Sequence, residues 1–427
     1  MFGILLGLIV LMALAYLGWS IVWIAPIAAG VVALFGGLDL LPAYTDTYMG
    51  GLVSFAKAWF PVFMLGAIFG KLMEVTLMAT SVSNVIAKVL GVKHSILGII
   101  LSAGFLTYGG VSLFVVVFAV YPLALSLFEK ADIPRRLIPG TIALGAFTFT
   151  MSALPGSPQI QNLIPMKYFH TTPTAGMAMG IISGLIMLIG GFLYLDYRKK
   201  KLKAAGEGFV APKDYTKSEN TKLPNFILSI IPLIAVVVLL NIFKLDIILS
   251  LLAGIILILV FNLHRYKQFI SAINDGASGA VIAIINTAAA VGFGTVVKVV
   301  PGFADLKAML LTLGGDNPLI SEAIAVNVLA GATGSASGGM GITLEALGAE
   351  YLKIAQNLNI SPEVLHRVAS ISSGGLDALP HNGAVLTLLA ICGMSHKESY
   401  LDIFVVAVVI PVFSLVFVIL LHSIGVM

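Results

Sequence analysis

Long apolar runs separated by short polar or basic stretches recur from one end of the chain to the other. Runs with the length of a bilayer crossing, about 17–25 residues, lie near 2–17, 20–39, 52–80, 137–165, 176–197, 225–243, 246–262, 279–300, 364–391 and 399–425. Two more runs, near 95–128 and 321–350, are too long for one crossing and are interrupted by small and polar residues. The first interruption is Thr107-Tyr108-Gly109-Gly110; the second is Thr333-Gly334-Ser335-Ala336-Ser337-Gly338-Gly339. Each reads as two half-helices meeting at a polar turn, a re-entrant hairpin. Irregular backbone of that kind is tolerated at membrane depth only inside protein or beside a cavity. The pattern predicts an all-α polytopic membrane protein of about ten transmembrane helices plus two re-entrant hairpins.

The order of runs repeats at a nearly constant offset. Phe69-Gly70 recurs as Phe293-Gly294, Gly91 as Gly315, and Ala153-Leu154-Pro155 as Ala378-Leu379-Pro380, displaced by 224 or 225 positions. Each half holds five crossings and one hairpin. An odd number of crossings turns the second half over, so the expectation is an inverted-topology repeat. The expected units are 1–200, a basic linker 201–224, and 225–427.

Charge orients these units. The stretch 198–224 carries Arg198, Lys199, Lys200, Lys201, Lys203, Lys213, Lys217 and Lys222, which places it in the cytoplasm. Hairpin 1 is flanked by Lys88, Lys93, Lys130, Arg135 and Arg136 and is expected to open from the cytoplasm. Hairpin 2, flanked by Asp305, Lys307, Asp316, Glu350, Lys353 and Glu363, suits the outside. The first run lacks a basic start, so it is expected to be a retained span rather than a cleaved signal.

Composition agrees with the bilayer reading. Hydrophobic residues make up 59% of the 427 and charged residues 10%, against about 25% charged in a soluble domain. Mean hydropathy is +1.05. The net charge of +4 is spread between apolar runs, which argues against nucleic acid as a partner. The single cysteine, Cys392, excludes an internal disulfide. No cofactor motif and no metal-ligand spacing stand out.

A broken span follows each hairpin. The first reads Ser152-Ala153-Leu154-Pro155-Gly156-Ser157-Pro158-Gln159; the second reads Gly374-Gly375-Leu376-Asp377-Ala378-Leu379-Pro380-His381-Asn382-Gly383. Proline removes an amide donor and glycine admits unusual backbone angles, so both spans should unwind. The half-helix after each break then points its free N–H groups at the gap, an anion site that needs no buried lysine. The expected substrate-binding residues are Thr107, Tyr108, Gly109, Gly110, Ser157, Gln159, Asn162, Thr333, Ser335, Ser337, His381 and Asn382. Ser112, Ser152, Ser372 and Ser373 lie close by in sequence. Neutral hydroxyls and amides suit a carboxylate bearing a hydroxyl or keto group. His381 and Asp377 are the expected proton-coupling residues, because ionisable groups at membrane depth are costly and usually functional. Glu74 and Glu345 stay open.

At these residues the chain resembles the gluconate permease (GntP) family of the ion-transporter superfamily. The resemblance rests on Gly109-Gly110, the break at 154–158, Phe293-Gly294, Gly334-Ser335-Ala336 and the stretch 373–383. It implies a proton-driven importer of hydroxy acids in the cell inner (plasma) membrane, a homodimer, and elevator-type scaffold and transport domains. The chain departs from gluconate-type members, which carry a His- and Pro-rich stretch at Ser152–Gln161. With Phe147, Phe149 and Leu154 around it, a shorter acid fits better, as in the 3-hydroxybutyrate permease branch. The expected partners are a small organic anion, protons and the lipid bilayer, with sodium still open. The alternatives are a gluconate-type sugar-acid symporter, a sodium-coupled dicarboxylate carrier, an anion channel, and an intramembrane protease suggested by Gly276-Ala277-Ser278-Gly279.

Overall fold

The computed structural model describes residues 1–212, 222–313 and 317–426. Lys213, Lys217, Gly315 and Asp316, used above to place the linker, the repeat and hairpin 2, lie outside the described residues. The first half runs α1 (Phe2–Tyr16), α2 (Ile21–Phe35), α3 (Leu40–Val75), α4 (Met78–Leu90), α5 (Ser95–Tyr108), α6 (Leu113–Ala131), α7 (Ile138–Ala146), α8 (Ile160–Phe169) and α9 (Met177–Ala204). The second half runs α10 (Phe226–Asn241), α11 (Ile247–Phe261), α12 (Leu263–Val299), α13 (Phe303–Leu313), α14 (Pro318–Thr333), α15 (Ala336–Asn357), α16 (Pro362–Ser373), α17 (Gly383–Cys392) and α18 (His396–Ser423).

The halves match element by element. α3 and α12 have 36 and 37 residues, and α9 and α18 have 28 each. These four are long and apolar enough to cross a membrane by themselves. They are also longer than their apolar cores, because the polar segments 40–51 and 263–278 continue the helix. The run expected at 52–80 divides instead into α3 and α4. Leu77, held in the left-handed region at φ 62°, turns the chain between them.

Matching helices pack against each other in opposite directions. α3 and α12 run antiparallel, with Gly51 against Thr295, Tyr48 against Gly292 and Ile68 against Gly276. A Cβ on Gly292 would sit 2.8 Å from the Tyr48 carbonyl oxygen, so only glycine allows this approach. Small residues bring helices close where water does not drive association. α9 and α18 are antiparallel too. Ser183 and Ser414 bond at 2.9 Å near one end, and Arg198 donates to the Asp402 carboxylate at 2.6 Å near the other. Tyr194 adds a bond to the same carboxylate at 2.9 Å.

The chain turns between two helices at both expected interruptions. α5 turns at Gly109–Ser112 into α6, and Gly110 has φ +97°. α14 turns at Gly334–Ser335 into α15, and Gly334 has φ +60°. The described start of the linker is tied to the base of hairpin 1 through the Asp132 carboxylate. The Phe209 N–H donates to it at 3.0 Å and, with Lys203, holds it below the usual carboxylate range.

Replacing Gly292 with Val should overpack the α3–α12 seam and cost about 1–3 kcal/mol. Melting in detergent should fall accordingly, whereas Gly66→Ala, which meets open space, should not lower it. Equal melting of wild type and Gly292→Val would contradict this seam.

Candidate functional site

Both spans unwind at the expected proline and glycine positions. α7 passes through a wide turn at Phe149–Ala153 and then extends to Gln159, where α8 begins. α16 ends at Ser373, and α17 begins at Gly383.

Five carbonyls of break 1 are met by side chains. Ser370 donates to Ser152 O at 2.7 Å, and Arg367 to Ala153 O at 3.1 Å. Tyr108 donates to Pro155 O at 2.9 Å, Asn241 to Gly156 O at 2.8 Å, and Asn162 to Ser157 O at 2.8 Å. Arg367 is fully buried and also donates to Ala175 O at 2.6 Å. Among the described residues its guanidinium donates to carbonyl oxygens rather than to a carboxylate, which keeps a buried positive charge beside the break. His366, next to it, joins Asn162 Oδ1 at 3.3 Å and Thr171 Oγ1 at 2.6 Å. An amide oxygen can only accept, so Nε2 donates to Asn162, while the Thr171 hydroxyl can serve Nδ1 as either donor or acceptor.

Break 2 is built likewise. Tyr400 donates to Ala378 O at 3.1 Å, and His396 bonds Pro380 O at 2.9 Å. Each hairpin tip is latched to the break of its own half by a side-chain amide. Gln159 Nε2 donates to Thr107 O at 2.6 Å, and Asn382 Nδ2 donates to Gly334 O at 2.9 Å.

The two helix starts differ. Asn382 caps α17, accepting from the N–H groups of Ala384 and Val385 at 2.6 and 3.0 Å. α8 has no side-chain cap, since the Gln159 amide is turned to hairpin 1. The uncapped start faces a cavity of about 480 Å³, within the range of small-molecule sites. Gln159, Ile160, Gln161 and Pro158 line it, with Gly110 and Ser112 of hairpin 1, Lys71 and Glu74 of α3, and Asp275 and Gly276 of α12. Lys71 pairs with Glu74 at 3.0 Å. A second cavity of about 760 Å³ lies on the other side of α8, between Leu163, Thr171–Thr174 and Asn241–Ile248. Val62 borders both.

Of the expected binding residues, Gly110 and Gln159 line the 480 Å³ cavity. Thr107, Tyr108, Gly109, Ser157 and Asn162 stand behind it in the hairpin 1 tip and break 1. Thr333, Ser335, Ser337, His381 and Asn382 gather around the hairpin 2 tip and border neither cavity. There Thr333 donates to Leu329 O at 2.9 Å, Ser335 caps α15 through Gly338, and Ser337 meets Thr287 at 3.1 Å. The His381 ring lies against Gly334. Asp377 is buried in the break. Gly276 is committed to the approach of α12 to Ile68.

The family model described as GntP family permease matches residues 1–246, more than half of the chain. The chain belongs to the GntP permease family. YxjC of Bacillus subtilis (strain 168), an uncharacterized transporter, is 43% identical across 95% of each chain. An uncharacterized transporter of Haemophilus influenzae is 27% identical over 45% of this chain and 43% of its own. The crystal structure of the YdaH transporter of Alcanivorax borkumensis, described as having an unusual topology, matches with a TM-score of 0.58 over 91% of this chain and 90% of that one. At 14% identity that likeness concerns the fold alone. This GntP permease is therefore an integral membrane transporter of a small molecule.

Sequence reasoning missed His366, Arg367, Asn241 and Glu322 of the permease. A lone arginine or acid inside an apolar run was the available signal, since such residues rarely occur at membrane depth without a role. Loss of Arg367 leaves several carbonyls unmet, at about 1–3 kcal/mol each, whereas loss of the Asn382 cap costs about 1 kcal/mol. Arg367→Met should therefore lower the melting temperature in detergent more than Asn382→Ala. The reverse order would contradict the reading of Arg367 as the main support of break 1.

Proposed function

We propose that this permease is a proton-coupled importer of a short hydroxy- or keto-monocarboxylate, such as 3-hydroxybutyrate or acetoacetate, in the plasma membrane. One observation carries the reading: the uncapped N-terminus of α8 faces the 480 Å³ cavity while the matching start of α17 is capped. Free N–H groups at a helix start favour a carboxylate, and the buried Arg367 charge behind break 1 adds to the field. The Gln159 amide would exchange its bond to Thr107 for one to the acid, with Gly110 and Ser112 closing over it. The largely apolar remainder of the lining suits a short chain better than a polyol.

In this reading 1–200 and 225–427 are inverted halves joined by the basic linker 201–224. The antiparallel packing of α3 on α12 and of α9 on α18 supports that division. So does a smaller cavity of about 200 Å³ lined by Gly51, Phe55, Val291 and Thr295. Those positions lie 224 residues from Asp275, Gly279, Ala67 and Lys71, which all line the 480 Å³ cavity. Two matching cavities of unequal size suit alternating access, one side open and the other closed, with elevator-like movement of the hairpins and breaks in a homodimer. The basic flanks of hairpin 1 support a cytoplasmic opening for the 480 Å³ cavity. Tip 2, with Thr333, Ser335, Ser337, His381 and Asn382, would form the outer gate. His381 and Asp377 would relay the proton.

The test is uptake of labelled 3-hydroxybutyrate into proteoliposomes under a proton or a sodium gradient. Proton-driven uptake blocked by acetoacetate and not by succinate is expected. Uptake driven only by sodium, or blocked only by succinate, would contradict the reading. Gln159→Leu should raise KM about tenfold, the size of one hydrogen bond to a charged group.

A further inference from the structure

Glu322 sits in the second turn of α14, inside hairpin 2, and is completely buried. Neither carboxyl oxygen has a hydrogen-bond partner among the described residues. The groups that could compensate a charge there are engaged elsewhere. On α15 the Tyr351 hydroxyl lies beside Glu322 but is held by Ser321 at 3.1 Å. Further along α15, Glu345 accepts from Tyr168 at 3.1 Å and faces Lys298 at 3.8 Å. On α16, Glu363 accepts from the Gly176 N–H, His366 joins Asn162 and Thr171, and Arg367 joins the carbonyls of break 1 and the 173–175 loop. α1 brings the N-terminal amine, which faces Asp305 of α13 at 3.9 Å. α18 brings His422, one residue from its far end. No cation meets Glu322 from any of these described side chains.

An ionised carboxylate with no partner costs far more in such a place than proton uptake does. The neutral acid is the form that this packing accepts. The same helix carries the rest of the gate. Asn327, five residues on, lies against Gly375 of break 2, and Gly331 lies against Leu376 and Leu379. The buried carboxyl thus lies on the same helix whose later turns seat hairpin 2 on break 2.

Resting on the proton-symport reading above, we propose that Glu322 is a proton-storage site of the transport cycle. Its carboxyl takes a proton from the aqueous phase, forming an O–H bond, before hairpin 2 seats against α16 and break 2. It returns that proton to water only when the hairpin moves and hydrates the group. Glu322 then differs from His381 and Asp377, which stand at the tip and the break. It makes the seated hairpin itself conditional on a bound proton.

The test compares wild type, Glu322→Gln and Glu322→Asp in proteoliposomes with labelled 3-hydroxybutyrate. Gln reproduces the neutral acid, so Glu322→Gln is expected to fold with unchanged melting and to exchange substrate with no gradient imposed. It should lose accumulation above equilibrium under a proton gradient, and its exchange rate should no longer depend on pH. Glu322→Asp should keep driven uptake, with a displaced pH midpoint. Full proton-driven accumulation by Glu322→Gln, alongside a proton-driven wild type, would overturn the storage site and leave the symport reading standing. A wild type that ignores the proton gradient would overturn both. Failure of Glu322→Gln to fold would also count against the proposal, because a neutral isostere should be accepted where a neutral acid resides.

Discussion

A helix that unwinds inside a bilayer must find new partners for its backbone within the protein, because the lipid offers none. That requirement governs this permease. Five carbonyls between Ser152 and Ser157 are each met by a side chain, and the donors come from α5, α8, α10 and α16. Three of the five, Ser370, Arg367 and Asn241, belong to the other half of the chain. The first half could not hold its break open alone, because the second half supplies three of the five donors. Orphaned peptide groups at this depth would each cost several kcal/mol, so the site and the fold are stabilised by the same bonds.

The same constraint explains why the breaks are unequal. Break 2 has a capping asparagine that bonds the first N–H groups of α17. The corresponding amide in break 1, Gln159, reaches hairpin 1 instead. Both residues stand directly before their helix, and one extra methylene separates the two side chains. The result is one closed helix start and one that still seeks an acceptor. The proposed function rests on that difference, because an uncapped helix start facing a cavity favours an anion.

Much of this was legible in the sequence. Pro155, Pro158 and Pro380 with their glycines marked both breaks, and Gly109-Gly110 and Gly334-Ser335 marked both hairpin tips, because proline and glycine act locally. Long-range effects were not legible. Arg367 reads as a stray charge near a helix end until Ala175, almost two hundred positions earlier, is seen to accept from it. Glu322 reads as the polar start of a hairpin until its burial is known. The split between α3 and α4 at Leu77 was hidden too, since hydropathy continues across a turn that only the backbone angle reveals. The expected binding residues were drawn from both tips and both breaks as if the halves were equivalent. The 480 Å³ cavity takes the tip and break of the first half, with the two long helices α3 and α12.

The account turns on whether the acid sits at the uncapped start of α8. Gln161 borders that cavity, whereas the natural Cys392 is buried. The decisive measurement is the rate at which a small maleimide modifies Gln161→Cys in proteoliposomes, with and without 3-hydroxybutyrate. The account predicts that the acid slows modification in a saturable way at concentrations near its KM, and that it leaves a cysteine at Leu401, exposed on α18, unaffected. A rate at position 161 that the acid does not change, in protein that transports it, would contradict the account.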